Sequence, residues 1–518
     1  MQDFLNSIEK IKASYLYLIL TVLAVLLTAR IQYIQHGWIN PDTVLYFESA
    51  RLIALGQFKE AITVYNWPAY PLCIALTHKL TTLNIHHSAQ LLSVIFFAIT
   101  TASFLKIIEL GGGSKKTMIT GALILFSSPY IVGDVLEMLM RDQGFWACFL
   151  TSLVFFIRFR LNRRYLDAFL WQVFAILATL FRVEAILYLL LLPLVLLLEV
   201  NVPLKNRAIV LIKCNCLNIL GALIVILALL VNSKLSMQNF GRLQEIFTSN
   251  LLQELTYNLA TKGQIMSEQV LGKYLQEYAI SGLILTFIFA IAVKTILATG
   301  AINFALVAYS TKQKKLIKEP TYGVLKATAL IALITMSLII TKVFVLSGRY
   351  VVALAFILMI GAAFQLGKML TEFSEGKTKK KKIILALGLI FVFMFGCIIK
   401  NVWPKSESYN YMQNSIQWLE NYDKKLSEKN VFYNDPRMIY FSNQKFRGKW
   451  AENLDQVSIE IANNKINDYD YLMIQYNKKH QDKFISIERK LSSYEEIKQI
   501  CSQNCTKVVA IFKKIPNE

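Results

Sequence analysis

The amino-acid sequence predicts a polytopic α-helical membrane protein with about eleven membrane-spanning helices and a small α/β domain at its C-terminal end. Of its 518 residues, 55% are hydrophobic, which exceeds the roughly 45–50% that is typical of soluble domains. The apolar residues form long runs that are almost free of charge, as in residues 16–29, 145–157 and 185–198. Backbone polar groups in lipid must be hydrogen-bonded within their own segment, so these runs are predicted to be helices.

The apolar runs also set the order and orientation of the spans. They lie at residues 15–35, 89–109, 117–132, 143–160, 165–181, 184–200, 209–231, 280–309, 322–343, 350–369 and 382–400. Lysine and arginine cluster in alternate short loops, at 115–116, 158–164, 205–213, 312–318 and 377–382. The positive-inside rule places these loops and the N-terminus in the cytoplasm. Splitting residues 280–309 into two spans would put the last cluster outside, so we expect one long or tilted helix there.

This orientation divides the chain into two predicted domains. Residues 1–400 form a transmembrane domain with outer loops at 36–88, 133–142 and 233–279, and residues 401–518 form a soluble extracytoplasmic α/β domain. In this tail, segments 431–433, 471–476 and 507–514 predict strands, and 415–426 predicts an amphipathic helix. Cys501 and Cys505 are close enough in sequence for an extracytoplasmic disulfide. The expected location is the cell (inner) membrane, with the tail in the periplasm.

Composition and motifs argue against other classes of protein. The formal net charge is +21, with 55 lysines and arginines, but these residues follow the topology pattern, so no nucleic-acid partner is expected. The seven cysteines lack the spacing of a zinc site. The glycine-rich segment 111–116 lacks the strand and helix that flank a nucleotide-binding loop.

Charged side chains recur at the outer ends of the predicted spans. They are Asp42, Asp134, Glu137, Arg141, Arg182, Glu184 and Arg349. Asp134, Glu137, Arg141 and Asp142 crowd into ten residues, and the spacing of the first three predicts one shared helical face. Carboxylates can take a proton from an acceptor, and arginines bind phosphate while staying charged in apolar surroundings. The combination predicts an outer-face site for a donor whose leaving group is a lipid phosphate.

Each of these features also has a purely structural interpretation. Asp42 follows Pro41 ahead of an amphipathic segment, which is typical of a helix N-cap. Segment 133–143 is equally typical of a solvated helix end, and Arg182 with Glu184 of a pair that snorkels to the interface. The aromatic segment 65–70 is also typical of an interfacial belt. At the level of single residues these interpretations stay open.

The ordered set of segments resembles the GT-C glycosyltransferases, in particular the protein O-mannosyltransferase and lipid A aminoarabinose transferase superfamily. The resemblance extends over about the first 370 residues. The segments that carry it are PDTVLYFESARLIALGQF (41–58), YNWPAYPLCIAL (65–76), GDVLEMLMRDQGFWACFLTSL (133–153), LFRVEAILYLLLLPLVLL (180–197) and SGRYVVALAFILMIGAA (347–363). In the tail, YFSNQ (440–444) is similar to the start of such a family's outer domain.

The resemblance implies a polyprenyl-phosphate-linked sugar donor and an envelope lipid, glycan or protein acceptor, with inversion at the anomeric carbon. Asp42 would be the catalytic base, and Asp134 or Glu137 would support the acceptor or the site. The donor phosphate would be held by Arg141, Arg182 and Arg349. The substrate pocket would be lined by Tyr46, Tyr65, Asn66, Trp67, Tyr70 and Glu184. No cofactor is firmly implied, and a divalent cation near the acidic residues is left open.

Two positions depart from the family pattern, and two other functions compete with it. Thr43 follows Asp42 where many relatives carry glutamate, and segment 65–71 lacks the lysine with which some relatives bind the donor phosphate. The first competitor is a transporter or flippase of a lipid-linked substrate, against which stands the lack of repeated halves in the sequence. The second is a non-catalytic membrane scaffold whose tail is a binding module.

Overall fold

The computed structural model describes residues 9–35, 37–199, 202–231, 242, 250–310, 316–376, 381–404, 410–442, 444 and 453–516. It is mostly helical, at 76%. The chain forms two compact units: unit 1 is Met1–Gln32 with His87–Val402, and unit 2 is Tyr33–His86 with Trp403–Glu518. The domain boundaries predicted from the sequence stay a prediction.

The helices alternate with short π and 3-10 turns along the chain. The first eleven are α1 (Ala13–Ile34), α2 (Pro41–Ala54), α3 (Phe58–Val64), α4 (Ala69–Thr81), α5 (Ile85–Leu110), α6 (Lys115–Phe126), α7 (Arg141–Asn162), α8 (Tyr165–Phe181), α9 (Ile186–Leu191), α10 (Leu204–Cys214) and α11 (Cys216–Val231). The remaining helices are α12 (Leu251–Ile265), α13 (Ala279–Thr299), α14 (Ala301–Ser310), α15 (Thr321–Val343), α16 (Gly348–Ser374), α17 (Lys381–Val402), α18 (Tyr411–Tyr422), α19 (Pro436–Phe441), α20 (Leu454–Ala462) and α21 (Gln481–Glu488).

Among the described residues, seven helices are long and apolar enough to cross a membrane. They are α1, α5, α7, α13 with the turn before it, α15, α16 and α17. Two bent helix pairs raise the number to as many as nine. The chain is therefore a multi-pass membrane protein, while the predicted count of eleven spans is not confirmed.

Helix breaks interrupt several predicted spans. In the third, α6 ends at Phe126, and a π-helical segment, Pro129–Val135, continues at an angle of 45°. The side-chain amide of Asn401 donates hydrogen bonds to the carbonyls of Phe126 and Ser128, both at 3.3 Å. The break is stable because its carbonyl groups find this donor within the protein.

Two further breaks change the predicted course of the chain. α10 and the start of α11 meet at an angle of 61°. Gly300, with φ of +88°, separates α13 from α14, so the expectation of one continuous helix over 280–309 is wrong. A left-handed backbone conformation is accessible to glycine without steric penalty, which explains why α13 ends there.

The loops of unit 1 meet in two groups, one at each end of the helices. At one end, Arg160 contacts Glu199 (3.2 Å) and the carbonyl of Pro320 (3.4 Å), and the backbone N–H of Lys318 donates to Gly111 (2.9 Å). These residues lie in or beside four loops that the sequence assigns to the cytoplasm. At the other end, Arg182 contacts the α7 N-terminus, and the 3.3 Å ion pair of Lys342 with Glu254 joins the C-terminal end of α15 to α12.

Unit 2 contains a four-stranded sheet in the order β1-β2-β4-β3. The strands are β1 (Val431–Tyr433), β2 (Tyr471–Asn477), β3 (Tyr494–Cys501) and β4 (Lys507–Lys514). β1 and β2 are parallel, and β4 pairs antiparallel with β2 and β3. Cys501, the last residue of β3, and Cys505, in the turn before β4, form a disulfide. The α/β domain predicted for the tail is therefore confirmed.

The two central strands alternate their side chains between two cores, as strand geometry requires. Tyr471 and Met473 of β2 pack on one face of the sheet with α18 and α19. Leu472, Ile474 and Tyr476 pack on the other face with α20 and α21. Helices thus cover both sides of the sheet. The remaining helices of unit 2, α2 to α4, come from the first predicted outer loop.

Candidate site in the membrane unit and the first loop

Arg182 lies at the C-terminal end of α8, where the helix stops and the chain becomes extended. Its guanidinium donates to Asp142 at the start of α7 and to both carboxylate oxygens of Glu184 at 3.4 Å. The side chains of Arg182 and Asp142 are 6% and 1% exposed. The interpretation of Arg182 as a snorkelling residue is therefore wrong, because its charge is buried and paired.

Asp142 links two of the predicted phosphate-binding arginines. Its second carboxylate oxygen lies 3.9 Å from a guanidinium nitrogen of Arg349, whose side chain is 33% exposed. Arg349 follows the N-cap Ser347 of α16, so three helix ends converge on one carboxylate. Arg182 is thereby anchored in the interior, whereas Arg349 is the arginine of this group that reaches the surface.

Aromatic rings complete the surroundings of this charge cluster. The guanidinium of Arg182 lies 4.5 Å from the ring centre of Tyr350 and 5.9 Å from that of Phe145. Tyr130 of the π-helical segment packs so closely on Gly348 that a Cβ there would come within 2.5 Å of its hydroxyl. A cation over an aromatic face is stabilised by the ring quadrupole. The rings therefore hold the arginine in place without neutralising it.

The predicted helical face of Asp134, Glu137 and Arg141 does not exist. The π-helical segment ends at Val135, a turn follows, and α7 begins at Arg141. Asp134 is exposed, whereas Glu137 is 5% exposed. Arg141 lies within electrostatic range of Glu184. Arg141 therefore lies near the Arg182 cluster, and Asp134 lies within electrostatic range of Tyr130 beside it.

Two buried glutamines explain why the segment between the π-helical turn and α7 is not helical. The amide nitrogen of Gln143 donates to the carbonyls of Leu136 and Met138, both at 3.1 Å. Gln32 of α1 donates to the carbonyl of Leu136 at 2.7 Å. These side chains satisfy carbonyls that a helix would otherwise use. Both glutamines position the loop, and neither was predicted as part of the site.

In unit 2, Asp42 is the second residue of α2. Asn40 is the N-cap of this helix, and its side chain accepts a hydrogen bond from the backbone N–H of Asp42 at 3.0 Å. The interpretation of Asp42 as the N-cap is therefore wrong. Its side chain is half-buried and lies in the first turn of the helix.

Three of the predicted pocket residues form one aromatic cluster in unit 2. The ring of Tyr46 lies 5.0 Å from that of Tyr65 and 5.3 Å from that of Tyr70, both edge-on. Trp67 is 6% exposed, and its indole N–H has no hydrogen-bond acceptor within the described residues. Asn66 lies on an exposed bend. A polar ligand atom could accept the indole N–H.

Sequence patterns indicated Asp142 without a role for it, and they did not predict Tyr130 or Tyr350. The signal for Asp142 and Tyr350 was position, because each directly follows a predicted site arginine, Arg141 or Arg349. Within the ranges that the structure describes, no group of three or more histidine, cysteine, aspartate or glutamate side chains could hold a metal ion.

No protein-family model matches the sequence, and no curated protein matches it. Solved structures do match. The archaeal oligosaccharyltransferase AglB from Archaeoglobus fulgidus, in complex with an inhibitory peptide and a dolichol-phosphate, aligns with a TM-score of 0.52 and 11% identity, over 98% of this chain and 74% of that one. The chain has the GT-C glycosyltransferase fold.

Two other proteins of the GT-C fold match at lower TM-scores. The arabinofuranosyltransferase AftD from Mycobacteria aligns at 0.48 with 11% identity, over 98% of this chain and 40% of that one. ArnT from Cupriavidus metallidurans in the apo state aligns at 0.44 with 13% identity, over 96% and 98%. Both TM-scores lie below 0.5, so the fold assignment rests on the match with AglB. With 11% identity, the match with AglB supports a shared course of the backbone. The role of each side chain has to be argued from its own contacts and chemistry.

Proposed function

We propose that this protein is a membrane glycosyltransferase that moves a sugar from a polyprenyl-phosphate carrier to an acceptor on the outer face of the membrane, with inversion. The observation that carries the proposal is the buried cluster of Arg182 with Asp142 and Glu184, beside the more exposed Arg349. Buried ion pairs in a membrane protein are costly, so they usually mark functional sites. Arginine suits phosphate because its planar donors bind two oxygens at once.

The leaving phosphate is the natural ligand for these arginines. When the sugar leaves its carrier, the bond between the anomeric carbon and the phosphate oxygen breaks, and the electron pair stays on the phosphate. Arg349 and Arg141 would bind this charge, and Arg182 would keep them in position through Asp142 and Glu184. Preorganised donors of this kind stabilise the transition state without rearranging during the reaction.

The proton of the acceptor hydroxyl or amine would go to Asp42. General base catalysis of this kind contributes about 10²–10⁴-fold to the rate. Because Asn40 caps α2, the carboxylate of Asp42 is not needed as the cap. Asp134 and Glu137 would support the acceptor or the site. The pocket residues would be Tyr46, Tyr65, Asn66, Trp67, Tyr70 and Glu184.

The location and partners of the enzyme belong to the same proposal. The N-terminus would be cytoplasmic, the tail periplasmic, and the membrane the inner membrane. The acceptor would be an envelope lipid, glycan or protein. Chelation of the purified enzyme tests whether transfer requires a divalent cation.

Asp42→Asn is the direct test of the proposed base. In cells that lack the gene, mass spectrometry of envelope lipids and glycans identifies the missing product, and plasmid-borne variants are scored for its return. We expect Asp42→Asn to lower the transfer rate by about 100-fold or more, because the amide cannot accept the proton. Its thermal stability should equal that of the wild type.

Two matched variants make this result specific. Glu60→Gln removes an exposed carboxylate of α3 and should leave transfer unchanged. Asn40→Ala removes the cap of α2 and should cost about 1 kcal/mol of stability. Wild-type transfer by correctly inserted Asp42→Asn would refute the base assignment. Movement of the intact lipid-linked sugar across vesicles, without loss of sugar from the carrier, would favour a flippase instead.

A further inference from the structure

We propose that unit 2 contains a second binding site, a pocket for a neutral carbohydrate, formed by α2, the first turn of α5 and the segment around α19. Its cavity volume is about 550 Å³, within the roughly 300–1,000 Å³ of small-molecule sites. All its lining residues belong to unit 2. The proposal rests on the transferase function above, because the carbohydrate would be the acceptor or part of it.

One wall of the pocket is aromatic. The ring centre of Phe47 lies 5.6 Å from those of His86 and Tyr440, and a ring nitrogen of His86 lies 3.1 Å from the Tyr440 hydroxyl. His86 and Tyr440 are close to parallel, at 28°. Rings held by such contacts present rigid apolar surfaces with a polar edge. The C–H face of a sugar ring is suited to pack on such a surface while its hydroxyls stay hydrogen-bonded.

A second wall of the pocket is polar. Glu48 accepts two hydrogen bonds from Arg51, at 2.9 Å and 2.7 Å, which fixes both side chains. The Glu48 side chain is 15% exposed, and that of Arg51 is 43% exposed. Asn84 and Gln444 add two side-chain amides to the lining. Fixed carboxylate, guanidinium and amide groups donate and accept paired hydrogen bonds, as neighbouring sugar hydroxyls require.

The charges of the lining favour a neutral ligand. Glu48 and Arg51 are its carboxylate and guanidinium, and they neutralise one another. Burial raises the pKa of Tyr440 to about 12, so its hydroxyl stays protonated and uncharged at physiological pH. A phosphate would need unbalanced positive charge, and an apolar peptide side chain would leave the polar wall without partners. A neutral sugar can pack its C–H face on the aromatic wall and pair its hydroxyls with the polar wall.

The test is direct binding without any donor. Purified full-length protein in a detergent that carries no sugar headgroup is applied to an array of neutral oligosaccharides, anionic oligosaccharides and peptides. We expect neutral oligosaccharides to bind. Glu48→Gln and Tyr440→Ala should weaken this binding by about tenfold or more, since each removes contacts worth at least that factor. Glu60→Gln and Tyr422→Ala, at half-exposed or exposed positions outside the lining, should bind as the wild type does.

Tyr440→Phe distinguishes a loss of binding contacts from a folding defect. It keeps the ring and removes only the hydroxyl, so it should bind more tightly than Tyr440→Ala, and circular dichroism should match the wild type for both. The proposal is overturned if neutral oligosaccharides do not bind, if anionic sugars or peptides bind instead, or if the pocket variants bind normally. Because no donor is present, a lack of sugar transfer by the wild-type protein would defeat the transferase proposal and leave this binding result standing.

Discussion

At the scale of residues, the decisive feature is a carboxylate shared between arginines. Asp142 pairs with Arg182 in the interior and lies 3.9 Å from Arg349. In a low-dielectric interior, each of these charges depends on the others, because removal of one leaves its partner buried without compensation. Under the proposed function, Asp142 would be a positioning residue, which acts on a bound phosphate only through the arginines.

Asp142→Asn is expected to destabilise the protein by about 3 kcal/mol, since breaking a buried ion pair usually costs 3–5 kcal/mol and the amide oxygen still accepts one hydrogen bond. The midpoint of thermal unfolding in detergent should fall by several degrees. Asp482→Asn, at an exposed position of α21, serves as the control and should not change it. An unchanged midpoint for Asp142→Asn would mean that the cluster is better hydrated than its burial indicates.

At the scale of elements, sequence patterns predicted where helices run better than where they break. The break after Phe126 depends on Asn401, which is 275 residues away along the chain. The loop between the π-helical segment and α7 depends on Gln143 and Gln32. The edge strand β3 was missed because its charged residues, such as Glu495 and Lys498, resemble a loop. Charged residues of this kind are common on sheet edges, where they prevent further pairing.

Gly144 controls how α7 packs against α8. A Cβ at this position would collide with the ring of Phe181, the last residue of α8. We expect Gly144→Ala to cost about 1–3 kcal/mol through overpacking and to disturb Arg182, which follows Phe181. The double variant Gly144→Ala with Phe181→Leu makes room for the methyl group and should recover part of the loss. Thermal unfolding of the wild type and the two variants measures this, and equal stability of Gly144→Ala and wild type would contradict the packing argument.

At the scale of the whole molecule, contacts within unit 1 agree with the alternation of loops derived from charge. Loops assigned to the cytoplasm meet through Arg160, Glu199 and Pro320. The junctions assigned to the outside meet at Asp142, Arg182 and Arg349. The chain between α12 and α15 therefore runs from one end of unit 1 to the other, although Gly300 breaks the helix on the way.

A reporter fusion tests which end faces out. Alkaline phosphatase, which is active only outside the cytoplasm, is fused after Pro404 and, as the matched control, after Gly376. We expect activity for the first fusion and none for the second, because α17 lies between them and the lysine-rich segment 377–382 would be cytoplasmic. The reverse result would invert the orientation and with it the proposed outer-face site.

The sequence by itself determined the membrane class, the approximate course of many helices and the α/β tail, and it predicted Arg182 and Arg349 as candidate site residues. These features depend on local properties: the length of apolar runs, the position of lysines, and the alternation of side chains along strands. The tertiary structure decided that Asp142 links Arg182 to Arg349, that Asn40 rather than Asp42 caps α2, and that Phe47, His86 and Tyr440 line one pocket. Those outcomes depend on contacts between side chains or helix ends that neighbouring sequence does not encode, because burial and pairing are set by the fold as a whole.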